Sequence, residues 1–172
     1  MHDFTASVAE ILGKPGHYRD LKVSKPLPGV RTELARLAGS PLEGKLRAES
    51  VVEGVLVTGN IMGRVQLTCA RCLKDFEAEV SSSLCELFLA PGHEAPPEEE
   101  TYKVEGLEID LEPMLRDALT LDLPLNPVCQ PDCKGLCARC GQDLNAGACS
   151  CVDDDVDPRW AALSDLRDRL EA

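Results

Sequence analysis

Six cysteines fall within the twenty-three residues from Cys129 to Cys151, in the run CQPDCKGLCARCGQDLNAGACSC, and a separate pair, Cys69-x2-Cys72, lies well upstream. Thiols this close together either staple a small oxidised scaffold or hold a metal ion. The rest of the chain favours metal. Its nine cysteines are an odd number, so they cannot all pair, and most sit in one late segment instead of spreading along the 172 residues. The opening, MHDFTASVAEILGKPG, has no basic start and no sustained apolar run, so no secretory signal is expected. No segment approaches the apolar length of a membrane span. A reducing, cytoplasmic setting is therefore expected, where clustered thiols more often ligate zinc than pair with one another.

Within the cluster, Cys137-Ala-Arg-Cys140-Gly141 has the pattern of a zinc knuckle. Two thiolates on a tight turn point at one ion, and glycine lets the backbone turn beneath it. A closed tetrahedral site needs four ligands, and six are on offer. Cys149 with Cys151, or Cys129 with Cys133, would supply the second pair, and a mixed set is not excluded by spacing. One structural zinc ion is expected. Catalytic zinc is disfavoured, because His2, His17 and His93 all lie far from the cluster and the carboxylates inside it, Asp132 and Asp143, suit turns better. Redox switching of spare thiols is a third reading. The upstream Cys69–Cys72 pair is less specific: it would complete a metal site, act in redox chemistry, or be two tolerated cysteines. Cys85, in the apolar run Leu84–Leu89, is expected to be a buried small hydrophobe.

Around the cysteines the pattern is that of an α+β protein. Val55–Thr68 and a strand running from Phe76 toward Leu89 alternate as antiparallel partners joined by Cys69–Cys72, and Leu42–Glu53 pairs on the other side through a turn at Glu53-Gly54. Gly59-Asn60 suggests a bulge. A further strand is expected at Tyr18–Val23 and a short one at Thr101–Val104. Helical turns are expected at Thr5–Leu12, with Thr5 as cap, and at Arg31–Leu37. Asp110 offers a cap to a helix carrying Leu115 and Leu119, and Asp157-Pro158 opens a last helix through Trp160, Leu163, Leu166 and Leu170. Ala90–Glu100 reads as a flexible acidic loop. No internal repeat stands out. The expected architecture is an antiparallel meander, barrel-like in outline, with a few short helices over residues 1–124, followed by a Cys-rich zinc module with a terminal helix over 125–172.

Charge narrows the partners. The formal net charge is −12, against general binding to nucleic acid through phosphate neutralisation. The imbalance is uneven: residues 1–47 carry eight Lys and Arg against five Asp and Glu, and the remainder ten against twenty-five. An acidic body suits a basic protein partner, and the basic start, with Lys14, Arg19, Lys22 and Lys25, suits an RNA contact. No phosphate-binding loop, dinucleotide fingerprint or serine elbow is present, so an enzyme is the less favoured class.

The order of segments CARC, LKDFEAEV, IDLEPMLRDALTLDLP, CQPDCKGLCARCGQDLNAGACSC and DPRWAAL resembles bacterial and plastid YceD proteins, and the opening FTASVAEILGKPG is similar to members from high-GC Gram-positive bacteria. The resemblance covers most of the chain. It implies a role in accumulation of the large-subunit ribosomal RNA, in a family whose gene often neighbours that of a small zinc-ribbon protein of the large ribosomal subunit. On that basis the chain is expected to be a non-enzymatic factor that docks on a large-subunit ribosomal protein or a pre-ribosomal particle. Its acidic runs Glu98–Glu100 and Asp153–Asp155 would face the basic partner. The competing expectations are a zinc-dependent or thiol-redox enzyme and a zinc-stabilised adaptor for an unrelated protein.

Overall fold

Alternating aliphatic residues dictate the centre of the molecule. In the computed structural model, which describes residues 4–93, 101–151 and Leu163, the chain runs β1 (Thr5–Ser7), β2 (Tyr18–Lys25), β3 (Ala35–Leu37), β4 (Leu42–Ser50), β5 (Gly54–Thr68), β6 (Asp75–Leu89), β7 (Tyr102–Lys103), β8 (Glu108–Asp110) and α1 (Glu112–Asp122). Strands β4, β5 and β6 form the antiparallel meander, with Leu46, Ala48, Val55, Val57, Ile61 and Val65 on its buried face. Strand β2 adds to β4, β7 adds to β6 in parallel, and β3 covers the last part of β5 beyond the reach of β4. Among the described residues the pairing runs in the order β2-β4-β5-β6-β7, and β1 pairs with β8 in a second, two-stranded sheet.

Helix α1 lies against β6 and buries Met114, Leu115 and Leu119. It starts as its sequence suggests: Asp110 Oδ1 accepts a hydrogen bond from the Glu112 N–H at 3.0 Å, and proline occupies the first turn, where its missing donor costs little. Leu111 is the capping residue by backbone geometry, one place after the expected Asp110. Two side chains fasten the helix. Tyr102, stacked on Phe88 with ring centroids 5.3 Å apart, donates its hydroxyl to Asp117, and Arg116 donates to the Pro28 carbonyl while pairing with Glu112. Among the described residues no helix is long and apolar enough to cross a membrane.

Four local expectations are corrected. Thr5–Ser7 is strand, because its backbone pairs with Glu108–Asp110, and only tight turns follow at Val8–Leu12. Arg31–Leu37 is not helical, since Ala35–Leu37 pairs with Val65–Leu67. No bulge interrupts β5 at Gly59: the register continues one to one on both sides, and the missing Cβ lets β4 approach instead. Cys85 is exposed, because alternation in β6 places it opposite Thr58 on the outer face while Leu84 points inward. Most of the expected acidic loop (94–100), the run Asp153–Asp155 and, apart from Leu163, the expected terminal helix lie outside the described residues. The chain divides into two compact units, Met1–Cys133 and Lys134–Ala172.

Candidate metal centres

The β5–β6 hairpin pairs without a break from Gly54↔Leu89 to Thr68↔Asp75 and carries Cys69-Ala70-Arg71-Cys72 at its tip. The turn is a closed loop of hydrogen bonds. Cys69 N–H donates to the Lys74 carbonyl at 2.9 Å, Leu73 N–H donates to the Cys69 carbonyl at 2.9 Å, and Cys72 N–H points at the Cys69 sulfur at 3.5 Å. Leu73 takes the left-handed conformation (φ 58) that lets the chain leave the turn. After α1, the segment through Cys129 and Cys133 is held to this tip: Ala70 N–H donates to the Pro127 carbonyl at 2.8 Å, and Arg71 Nη1 donates to the Cys133 carbonyl at 2.9 Å.

The result is a cluster of four sulfurs, Cys69, Cys72, Cys129 and Cys133, all within 4.8 Å of one another. Cys69, Cys72 and Cys133 are buried and Cys129 is exposed. Cys72 and Cys129 lie 3.6 Å apart and Cys69 and Cys133 3.9 Å. Both separations are far beyond a disulfide bond of about 2.05 Å. A tetrahedron of thiolates at the usual Zn–S distance of about 2.3 Å has edges of about 3.8 Å, which these separations match.

The second unit holds another such cluster, Cys137, Cys140, Cys149 and Cys151, also within 4.8 Å. Cys137 N–H donates to the Gln142 carbonyl at 2.8 Å, Gly141 N–H donates to the Cys137 carbonyl at 2.9 Å, and Gly141 has φ 73. Asp143 organises the loop between the cysteine pairs, accepting from the backbone and side-chain nitrogens of Asn145. Among the described residues of this unit no hydrophobic side chain is buried.

Thiol electrostatics differ within each cluster. Burial raises Cys69, but backbone N–H groups of Cys72, Cys129 and Arg71 outweigh it and bring the thiol down to about 6. Cys129 is pushed up to about 12, by burial first and then by the neighbouring thiols. The Lys74 N–H lowers Cys72, but burial with the Cys69 and Cys133 thiols outweighs it and the group is raised. In the second cluster, N–H groups of Cys140 and Arg139 bring Cys137 down to about 6, while the Cys140 thiol and then burial push Cys151 up to about 12. Each cluster thus sets one thiol held low by N–H groups beside another held high by burial and its neighbouring thiols. Four thiolates around a dication resolve that conflict.

The six clustered thiols therefore divide. Cys137, Cys140, Cys149 and Cys151 come together, whereas Cys129 and Cys133 join Cys69 and Cys72. A signal for this was present in the chain: the tetrapeptide CARC occurs twice, at Cys69–Cys72 and Cys137–Cys140.

The family described as large ribosomal RNA subunit accumulation protein YceD matches residues 57–167, a span that contains all nine cysteines. This chain belongs to the YceD family. An uncharacterized protein of Mycobacterium tuberculosis is 39% identical over 167 residues, covering 94% of this chain and 80% of its own length. The large ribosomal RNA subunit accumulation protein YCED homolog 1, chloroplastic, of Arabidopsis thaliana is 33% identical over 70 residues, covering 41% of this chain and 22% of its own. The uncharacterized protein YlbN of Bacillus subtilis is 29% identical over 128 residues, covering 74% of each chain. No solved structure matches this YceD chain.

Proposed function

We propose that this chain is a non-enzymatic, cytoplasmic factor that supports accumulation of large-subunit ribosomal RNA by docking on a basic ribosomal protein or a pre-ribosomal particle. Membership of the YceD family carries this reading. The charge of −12 supports a basic protein partner over free RNA, and the exposed residues Lys22 and Lys25 on β2 provide the local positive charge for an RNA contact. Zinc serves structurally: an all-thiolate donor set is that of closed structural sites, and Cys137, Cys140, Cys149 and Cys151 organise a unit with no buried apolar side chain among its described residues.

The test is a tagged pulldown from cells at moderate salt, read by mass spectrometry and RNA sequencing, beside a depletion strain in which the two subunit rRNAs are quantified. Enrichment of large-subunit proteins or precursor rRNA, with selective loss of large-subunit rRNA on depletion, is the expected result. A clean pulldown lacking both, with the rRNA ratio unchanged, overturns the proposal.

A further inference from the structure

We infer that the chain carries a second zinc site, formed by Cys69, Cys72, Cys129 and Cys133, so that two ions bind per chain. This rests on the reading of the chain as a structural zinc protein and extends it to residues that join the first unit to itself. Three observations lead there.

The two CARC turns are the same backbone device. In each, the first cysteine donates its N–H to the carbonyl five residues on, Lys74 in one and Gln142 in the other. In each, the residue four places on donates back to the first cysteine's carbonyl, Leu73 in one and Gly141 in the other. That residue is left-handed in both, at φ 58 and φ 73. A leucine accepts this conformation only at a cost, and Leu73 is 61% exposed, so packing does little to offset it. A turn held at that cost, with its sulfurs converging on two more, has the form of a ligand-bearing knuckle rather than of an ordinary hairpin end.

The second pair of sulfurs is brought in by contacts outside the sulfurs themselves. Ala70 and Arg71, the two residues between the knuckle cysteines, donate to the carbonyls of Pro127 and Cys133. Backbone and guanidinium bonds thus fix the Cys129–Cys133 segment against the tip, in the manner of the outer hydrogen bonds that orient metal ligands. The guanidinium also places positive charge beside a centre that carries net negative charge once four thiolates surround a dication.

Burial supplies the third observation. Cys69, Cys72 and Cys133 are at most 4% exposed. These sulfurs pack against one another with no disulfide among them, Cys69 and Cys133 at 3.9 Å, and a d10 dication bound by four thiolates fits that spacing in a geometry with no open coordination position. The site is structural: it links residues 57 to 64 positions apart, from the hairpin tip to the exit of α1.

The experiment is metal analysis and native mass spectrometry of the full chain, purified anaerobically from zinc-supplemented cells, followed by alkylation of the native protein with peptide mapping. Two zinc ions per chain are expected, with Cys85 the thiol that alkylates readily. Cys69→Ser with Cys72→Ser is expected to lose one ion and to leave Cys137, Cys140, Cys149 and Cys151 protected. Cys129→His, which keeps a zinc ligand at the exposed corner, is expected to retain both ions. Should the double variant not fold, the ion count of the unaltered chain decides. One zinc per chain, retained in the Cys69→Ser, Cys72→Ser variant, overturns this inference and leaves the structural-zinc reading standing. No zinc at all overturns both, and iron in place of zinc at the first cluster overturns the choice of metal.

Discussion

Replacing Gly59 by alanine tests whether close strand approach, and not a bulge, is what this glycine provides. A Cβ there would stand 2.3 Å from the Lys45 carbonyl oxygen and 2.9 Å from both Cα and Cδ2 of Leu46, where ordinary contact begins at 3.4 Å. The nearest atom is backbone, so β4 and β5 must separate by roughly an ångström at the Leu46↔Gly59 pair. That weakens one or two ladder hydrogen bonds, worth about 0.5–1.5 kcal/mol each. Overpacking against buried Leu46 adds about 1–3 kcal/mol, and the φ of 146° adds strain of the order of 1 kcal/mol or more. Gly59→Ala should therefore cost about 2.5–7 kcal/mol, a large part of a typical domain's stability. Gly39→Ala is the control, because Gly39 is left-handed at φ +67 with nothing within 4 Å of its Cβ position. Only the conformational cost applies there, about 1 kcal/mol. Urea unfolding followed by far-UV circular dichroism, at a fixed excess of zinc and with m-values compared, separates the two. If Gly59→Ala and Gly39→Ala fall within about 0.5 kcal/mol of each other, the close approach does not constrain the sheet and the reasoning fails.

Leu115, fully buried between α1 and the sheet, should cost about 2–5 kcal/mol when cut to alanine, measured by the same unfolding series; a loss near zero would mean α1 does not close the core. Gly141→Leu, which gives the second knuckle the residue that the first already carries, meets no neighbour but imposes a left-handed leucine. It should weaken zinc at that cluster about five- to thirtyfold, the equivalent of about 1–2 kcal/mol, in a chelator competition, and unchanged affinity would show that the knuckle does not form with the metal. Zinc affinity should fall as pH falls. Cys72 and Cys129 in the first cluster, and Cys149 and Cys151 in the second, are raised above their ordinary values, are protonated near neutral pH, and must shed their protons to bind. Release of at least two protons per ion makes the fall roughly a hundredfold for each pH unit or steeper, and a pH-independent affinity by competition titration would contradict it.

What could be read from the chain follows the range of the interactions. The β5–β6 hairpin was legible because alternation and its turn are local, and α1 because Asp110, Pro113 and the Leu115–Leu119 spacing mark it within a few residues. Thr5–Ser7 and Ala35–Leu37 resemble helical turns in sequence because their strand character comes from partners far along the chain, Glu108–Asp110 and Val65–Leu67. Three residues are too few to show a period, and Val8 with Ile11 mimic helical spacing while being buried from a turn. Cys85 stands in an apolar run that looks buried throughout, but strict alternation from Leu84 puts it outside. The metal clusters divide the same way. Cys137 and Cys140 with Cys149 and Cys151 lie close in sequence, but only the fold brings Cys129 and Cys133 to a hairpin tip nearly sixty residues upstream.

The two clusters sit in units stabilised by different physics, which sets what metal can contribute to each. The first unit has a continuous aliphatic core from Phe4 to Leu123, built with few aromatics, and its stability is dominated by burial. A metal there acts as a cross-link, restricting the chain between the hairpin tip and the α1 exit much as loop closure does. Among its described residues the second unit buries no apolar side chain, and Leu136 and Leu144 are only half-buried, so hydrogen bonds and the thiolates carry most of the ordering of these loops. Zinc bound by Cys137, Cys140, Cys149 and Cys151, as proposed above, would couple metal binding to the folding of these loops. The same tetrapeptide, CARC, thus stands at the tip of an apolar-cored sheet in one unit and among loops without buried apolar side chains in the described part of the other. The first knuckle holds Leu73 at φ 58 at the tip of a fully paired hairpin, whereas the second, bracketed by the single bridge Leu136↔Asp143, carries the residue that adopts φ 73 freely.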